Sequence, residues 1–240
     1  MKKILYITAA FLALAGCRNA ARQKAEEPVA GQPEEPREAA LDTVAAVKAA
    51  SVLPEEPVFD IVTSLGTIKV KLYKDTPKHR HNFEKLALAG YYDSLRFHRV
   101  MKGFMIQGGD PYSRDSAKVD LWGTGGPGYT LPAEMRDEDG APLHRHKKGA
   151  LAAARRGDQA NPYKESSGSQ FYLVQDPDAC VHLDGEYTVF GETVAGLNVI
   201  DKIAAVPTGR QDRPLREVRI LTIKPDEELN KRVEKGTADE

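Results

Sequence analysis

Cysteine is nearly absent from this chain of 240 residues, which carries only Cys17 and Cys180. A disulfide framework is therefore excluded as the source of stability, and a chain this long can build one domain whose core stands without it. An excess of either charge is also missing: 34 Lys and Arg face 35 Asp and Glu. With that balance and no basic stripe, nucleic acid is not expected as a partner.

Familiar catalytic signatures are missing as well. "FHRVMKGFMIQGGD" (97–110) sets His98, Arg99, Gln107 and Asp110 among bulky apolar side chains but holds no Ser, Thr or Cys that could act as a nucleophile. "GTGGPG" (123–128) has the spacing of a dinucleotide fingerprint, yet no strand precedes it and "YTLPAEM" follows where a helix should begin. "HRH" occurs at His79/His81 and His144/His146. The first pair falls in a helix, where i and i+2 do not share a face, and the second in a basic loop, so no metal site is expected. Cys180 has no activating base beside it and reads as a small buried hydrophobe.

The long apolar run that does occur, Ile4 to Ala15, follows Lys2 and Lys3 and is too short to span a bilayer as a mature helix. It ends in "LAGC", which resembles the lipobox of bacterial lipoproteins, whose cysteine is diacylated and becomes the first residue of the mature chain. Residues 1–16 are accordingly expected to be a signal peptide and Cys17 the lipidation site. The product would be anchored to a membrane of the bacterial envelope, with its domain on the exported side. Residues 17–56 are rich in Ala, Glu and Pro with few large apolar residues, and read as a tether with one thin helical stretch at 41–53. Such a chain reaches roughly 35 Å, more where proline stiffens it.

Folded structure is expected over 57–225, followed by a charged tail at 226–240. Val58 to Val62 and Thr67 to Tyr73 alternate apolar and polar residues around a Gly-containing turn, the mark of a hairpin. Thr76 and Pro77 open a helix that Gly90 ends, and "LNVIDKIAAV" (197–206) forms a second, stopped by Pro207. Short apolar runs punctuated by Gly, Pro and Asp fill the interval, as in a β-barrel or sandwich. The closing strand, "REVRILTIKP", should show Val218, Ile220 and Thr222 on one face and Arg219, Leu221 and Ile223 on the other.

In order, "TPKHRHNFEKLALAGYYDSLRFHRVMKGFMIQGGDP", "GTGG", "GSQFYLV" and "HLDGEYTVFGETVAGLNVIDKI" resemble the cyclophilin-type peptidyl-prolyl cis-trans isomerases over roughly residues 57 to 224. The resemblance implies a mainly β fold, a closed eight-stranded antiparallel barrel capped by two helices. It implies rotation about X-Pro bonds of proline-containing polypeptides, without covalent intermediate, metal or cofactor, by a monomer that assists exported chains to fold. By the same resemblance Arg99 is the catalytic cation, and Gln107 beside it bonds the substrate backbone and fixes the guanidinium. Phe104, Met105, Phe171 and Leu183 form the proline pocket, the Arg155 backbone holds the preceding residue, and Gln170 and Ala154 line the rest. His98 bonds its neighbours beneath the site rather than acting as a base.

This sequence departs from the family pattern at several of these places. His182 stands where many members carry a tryptophan important for binding cyclosporin. Tyr187 replaces a frequent histidine, Arg155 an asparagine and Lys102 a common proline. Segments 111–148 and 156–167 read as insertions with room for a dedicated partner, so the alternative is a non-catalytic module that binds proline peptides. The intact pair Arg99 and Gln107 favours the enzyme.

Overall fold

Strand alternation builds the first hairpin of the computed structural model, which describes residues 53–236. Strands β1 (Val58–Thr63) and β2 (Gly66–Leu72) pair antiparallel, and Phe59, Ile61, Ile68, Val70 and Leu72 are fully buried. The turn needs glycine at 66, where φ is +135° and a Cβ would lie 2.9 Å from the Val199 side chain. The signal segment, Cys17, the tether up to residue 52 and residues 237–240 lie outside the described residues.

Helix α1 (Pro77–Leu88) starts at a first-turn proline and ends at Gly90, whose φ of +67° is left-handed. Thr76 occupies the cap position, but its hydroxyl donates to the Tyr73 carbonyl at 3.3 Å instead of accepting from the helix. The free N–H groups of Lys78 and His79 donate to the Glu134 carboxylate, each at 3.0 Å. A carboxylate distant in sequence thus supplies the cap that the local sequence appointed to threonine.

The remaining strands are β3 (Arg99–Met101), β4 (Met105–Gly108), β5 (Thr130–Leu131), β6 (Ala150–Ala153), β7 (Ser166–Ser167), β8 (Phe171–Val174) and β9 (Val189–Ala195). After helix α2 (Leu197–Ala204) come β10 (Ile220–Pro225) and helix α3 (Glu227–Gly236). Eight strands form one antiparallel sheet in the order β10-β1-β2-β9-β6-β8-β4-β3, and β5 and β7 pair separately. The expected closure of the barrel needs correction. The sheet is open: β3 and β10 do not pair, and an isolated bridge, Arg96 to Arg219, joins the segments that precede them. The ladder stops there because β3 is three residues long and its free side faces the turn at Arg210–Asp212 rather than β10.

Each strand divides its side chains between two apolar layers. Ile106, Leu151, Ala153, Phe171, Leu173 and Phe190 join one core with Phe83 and Leu86 of α1 and Ile200 and Ile203 of α2. Met105, Ala150, Ala152, Tyr172, Val174 and Val189 face the other way and pack with Cys180 and Leu183. Cys180 is fully buried, and burial pushes its thiol up to about 11, so it packs as an apolar residue.

Strand β10 departs from simple alternation. The register slips between Val62 and Thr63, which pair with Thr222 and Ile220 respectively. This bulge leaves Leu221 exposed and turns both Ile220 and Ile223 inward, so Ile223 does not share a face with Leu221. Beyond it, most of the charged tail is helical. Asp226 caps α3 by accepting from the Glu228 and Leu229 N–H groups, and buried Asn230 exchanges hydrogen bonds with the Val58 backbone at 2.7 and 3.1 Å.

Glu84 of α1 is 3% exposed, and burial raises its carboxyl to about 7, against the opposing pull of Arg80 at 3.8 Å. A group that holds its proton more tightly when folded stabilises the fold fully below its unfolded pKa of 4.5. That stability is lost as pH rises through about 7. Glu84→Gln should remove this dependence and gain on the wild type by up to about 3 kcal/mol between pH 5 and pH 8. Urea denaturation at the two pH values measures it; a constant difference would show that Glu84 stays ionised.

Candidate active site

The sheet's second layer ends in an open groove of about 440 Å³. Arg99 and Gln107 face each other across the β3-β4 ladder, and Met105 lies on the same side of β4 as Gln107, two residues away. Phe104 follows the β3-β4 turn. Ala154 and Arg155 continue from the end of β6, while Leu183 and Tyr187 come from the 3-10 turn at Asp178–Leu183 and the loop after it. All eight line the groove.

Phe171, expected in the proline pocket, is elsewhere. Its ring is 1% exposed and packs edge-on against Phe83 and Tyr92 at 5.7 and 5.6 Å. The next residue, Tyr172, takes the groove position. The reason is the two-residue period of β8, which sends neighbours to opposite faces. Tyr172 is held from beneath by a buried chain in which its hydroxyl meets His146 Nε2 at 2.8 Å and His146 Nδ1 meets Asp184 at 2.8 Å. Burial lowers the pKa of His146, outweighing the pull of Asp184, so the neutral ring donates from Nδ1 to Asp184 and accepts the phenol proton at Nε2.

Gln107 does not fix the guanidinium. Its amide donates to Gln170 Oε1 at 3.0 Å, and the Gln170 amide donates in turn to the Gly123 and Gly125 carbonyls at 3.1 and 2.7 Å. Gln170 therefore acts as a buried strut beneath the groove rather than as its lining. Arg99 turns its Nε to Asp212 Oδ2 at 3.4 Å and one Nη to the Met101 sulfur at 3.0 Å. The Arg155 guanidinium lies over the Tyr187 ring at 4.3 Å and donates to the Glu186 carbonyl and to Asp158. His182 is exposed at the rim, its ring nearly parallel to Phe104 at 6.5 Å.

His98 is buried against the groove, and neither ring nitrogen completes a hydrogen bond, although the Arg96 backbone and the Gln170 side chain lie near. Burial, with the charges of Arg213 and Arg99, lowers its pKa to about 4, so the ring is neutral near pH 7. Two further histidines pair with carboxylates: His79 with Glu134 at 2.7 Å and His144 with Asp75 at 2.8 Å.

Sequence reading missed the far wall. Asp120, Trp122, Gly123 and Thr124 line it, with Gln211, Asp212 and Arg213. Trp122 is flanked by the Arg96 and Arg213 guanidinium groups at 5.2 and 5.7 Å from its ring. Asp110 organises this wall, accepting from the N–H groups of Tyr112, Gly123 and Gly125. At Gly125 a Cβ would lie 2.4 Å from the Asp110 carboxylate. The signal available was Asp110 itself, an acid buried in an apolar run ahead of a glycine-rich loop.

A cation, an amide strut and an apolar pocket without a nucleophile suit a reaction that changes conformation rather than bonds. The family model described as "Cyclophilin type peptidyl-prolyl cis-trans isomerase/CLD" matches residues 58–225. The chain belongs to this family. Peptidyl-prolyl isomerase CYP18-1 of Arabidopsis thaliana is 38% identical over 159 residues, covering 66% of this chain and 89% of that one. Peptidyl-prolyl cis-trans isomerase-like 2 of Rhizopus delemar is 39% identical over 178 residues, 72% of this chain but 30% of that protein. A crystal structure of a cyclophilin type isomerase from Cryptosporidium parvum superimposes with a TM-score of 0.60 at 28% identity, covering 71% of this chain and 97% of that one. A second structure of the Cryptosporidium protein, solved in the presence of the dipeptide ala-pro, gives 0.59 at 28% identity, with 70% and 98% covered. This cyclophilin-type chain is accordingly a peptidyl-prolyl cis-trans isomerase with the family's mainly β fold.

Phe171→Ala should cost about 3–5 kcal/mol of stability, as truncation of a core aromatic does. Tyr172→Phe should cost about 1–3 kcal/mol, by leaving His146 Nε2 buried and unpaired. Denaturant midpoints check both. A Phe171→Ala variant as stable as the wild type would return that ring to the groove.

Proposed function

We propose that Arg99 performs the isomerisation by stabilising the twisted X-Pro amide of proline-containing polypeptides bound in the groove. One juxtaposition supports the reading: the Arg99 guanidinium opens onto the same groove as Phe104, Met105, Leu183 and Tyr172. A proline ring set among those side chains brings its nitrogen towards the cation.

The chemistry follows from the amide. Resonance sets a barrier of about 18–20 kcal/mol, and twisting the C–N bond localises the lone pair on the proline nitrogen. A fixed N–H donor then gains more in the twisted state than in the planar one, which is what lowers a barrier. From an uncatalysed rate of roughly 0.01 per second to a typical enzymatic 10 per second needs about 4 kcal/mol. One charge-assisted bond contributes about 1.5–3 kcal/mol of that. No covalent bond forms or breaks, so the reaction asks for no nucleophile and no proton transfer. His98, neutral near pH 7, has the form of a general base, but the reaction offers it no proton to take.

The wider setting is an exported, lipid-anchored folding assistant, a monomer held by Cys17 on a tether. This extends from the lipobox-like "LAGC" and the apolar run before it. The diacyl chains of a lipidated cysteine supply the two-chain anchoring that one chain cannot.

Arg99→Ala should lower kcat/KM by about tenfold to a hundredfold in a protease-coupled peptide assay, with an unchanged circular dichroism spectrum. Arg99→Lys should recover little, since a point charge does not reproduce the planar fork. Wild-type turnover by a folded Arg99→Ala variant would defeat the assignment. Separately, Cys17→Ser should move the protein from the membrane pellet to the soluble fraction without changing its activity on a short peptide. A wild-type N-terminus that carries no lipid by mass would defeat the anchor.

A further inference from the structure

Beside the catalytic cation the chain runs through an unfavourable conformation. Gln211 and Asp212 are consecutive non-glycine residues with φ of 59° and 57°, in the left-handed region where a Cβ crowds the backbone. The turn that holds them is closed on both sides: the Gly209 N–H donates to the Arg213 carbonyl at 2.8 Å, and Thr208 bridges to Pro214. Arg213 then lies over Trp122 at 5.7 Å, which ties the turn to the rest of the far wall. Two such residues persist in sequence only where the surroundings hold them, and strain of this kind gathers at functional sites.

What this turn delivers is a carboxylate. Among the described residues, the ion pair of Asp212 is with Arg99, Oδ2 to Nε at 3.4 Å. The Arg99 side chain is 42% exposed, so packing alone does not fix its several rotatable bonds. A carboxylate on Nε orients the plane of the guanidinium, and the second contact, from Nη2 to the Met101 sulfur at 3.0 Å, fixes its inner edge. The remaining N–H groups are left to the groove. Gln107, the residue paired with Arg99 across the ladder, is committed to Gln170 and does not share this task.

We infer that Asp212 is a positioning residue for the isomerisation, its carboxylate holding the Arg99 guanidinium in the orientation that meets the twisted amide. The inference rests on the reading of Arg99 as the catalytic cation. An orienting group acts on the transition state and leaves most ground-state contacts alone, so its removal appears in kcat more than in KM.

The test measures kcat and KM by saturating the peptide assay with wild type, Asp212→Gly, Asp212→Asn, Arg99→Ala and the Arg99→Ala/Asp212→Gly double variant. Glycine keeps the left-handed turn while removing the carboxylate, and asparagine tolerates that conformation and keeps an acceptor oxygen. Asp212→Gly should lower kcat by about three- to tenfold with KM within about twofold, as expected for losing a half-exposed charged contact. Asp212→Asn should recover a good part of the loss. The double variant should be no slower than Arg99→Ala, because the carboxylate acts only through the guanidinium. Wild-type kcat in Asp212→Gly beside a slowed Arg99→Ala would overturn the positioning role and leave Arg99 in place, as would independent, multiplying losses in the double variant. Wild-type kcat in Arg99→Ala would overturn both readings together.

Discussion

The groove depends on one buried polar knot. Asp110 is fully buried and takes three backbone N–H groups from the loop that follows it, while Gln170, 7% exposed, takes the Gln107 amide and gives its own to Gly123 and Gly125. Buried polar groups are costly unless fully paired, so this knot has essentially one good arrangement. It joins strand β4, strand β8 and the glycine-rich loop at a single depth, and so sets where the far wall stands relative to Arg99. Burial raises the Asp110 carboxyl, and the backbone N–H groups pull the other way.

That rigidity suits the reaction. A catalyst that adds a few kcal/mol through one donor cannot let that donor wander, because a misplaced hydrogen bond loses most of its strength. Arg99, Met105, Gln107 and Tyr172 stand on strands, and Tyr172 is held from below by His146 and Asp184. The strained turn at Gln211 and Asp212 is the counterpart on the other wall, stabilised by contacts rather than by its own preferences.

Much of this was legible in the sequence, and the failures share a cause. The first hairpin, α1 with its proline start and glycine stop, and α2 were set by local periodicity and by residues with strong backbone preferences. Arg99, Gln107, Phe104, Met105, Ala154, Arg155, Leu183 and Tyr187 do reach one groove. Phe171 was misplaced because two adjacent aromatic residues on one strand cannot share a face, and the position that faces the groove belongs to Tyr172. The face of Ile223 depends on a bulge whose other half is β1, more than a hundred residues earlier. The sheet's incomplete closure and the Glu134 cap both depend on contacts between distant segments. No window of sequence contains both partners.

The stack of Arg96, Trp122 and Arg213 has a practical side. Trp122 is the only tryptophan in the chain, and it lines the groove between two guanidinium groups. All indole emission of the native protein therefore originates at the surface of this groove. Whatever enters the groove alters the polarity and the charges around one ring, so the molecule carries its own optical reporter of occupancy, and no label has to be introduced to watch a ligand arrive.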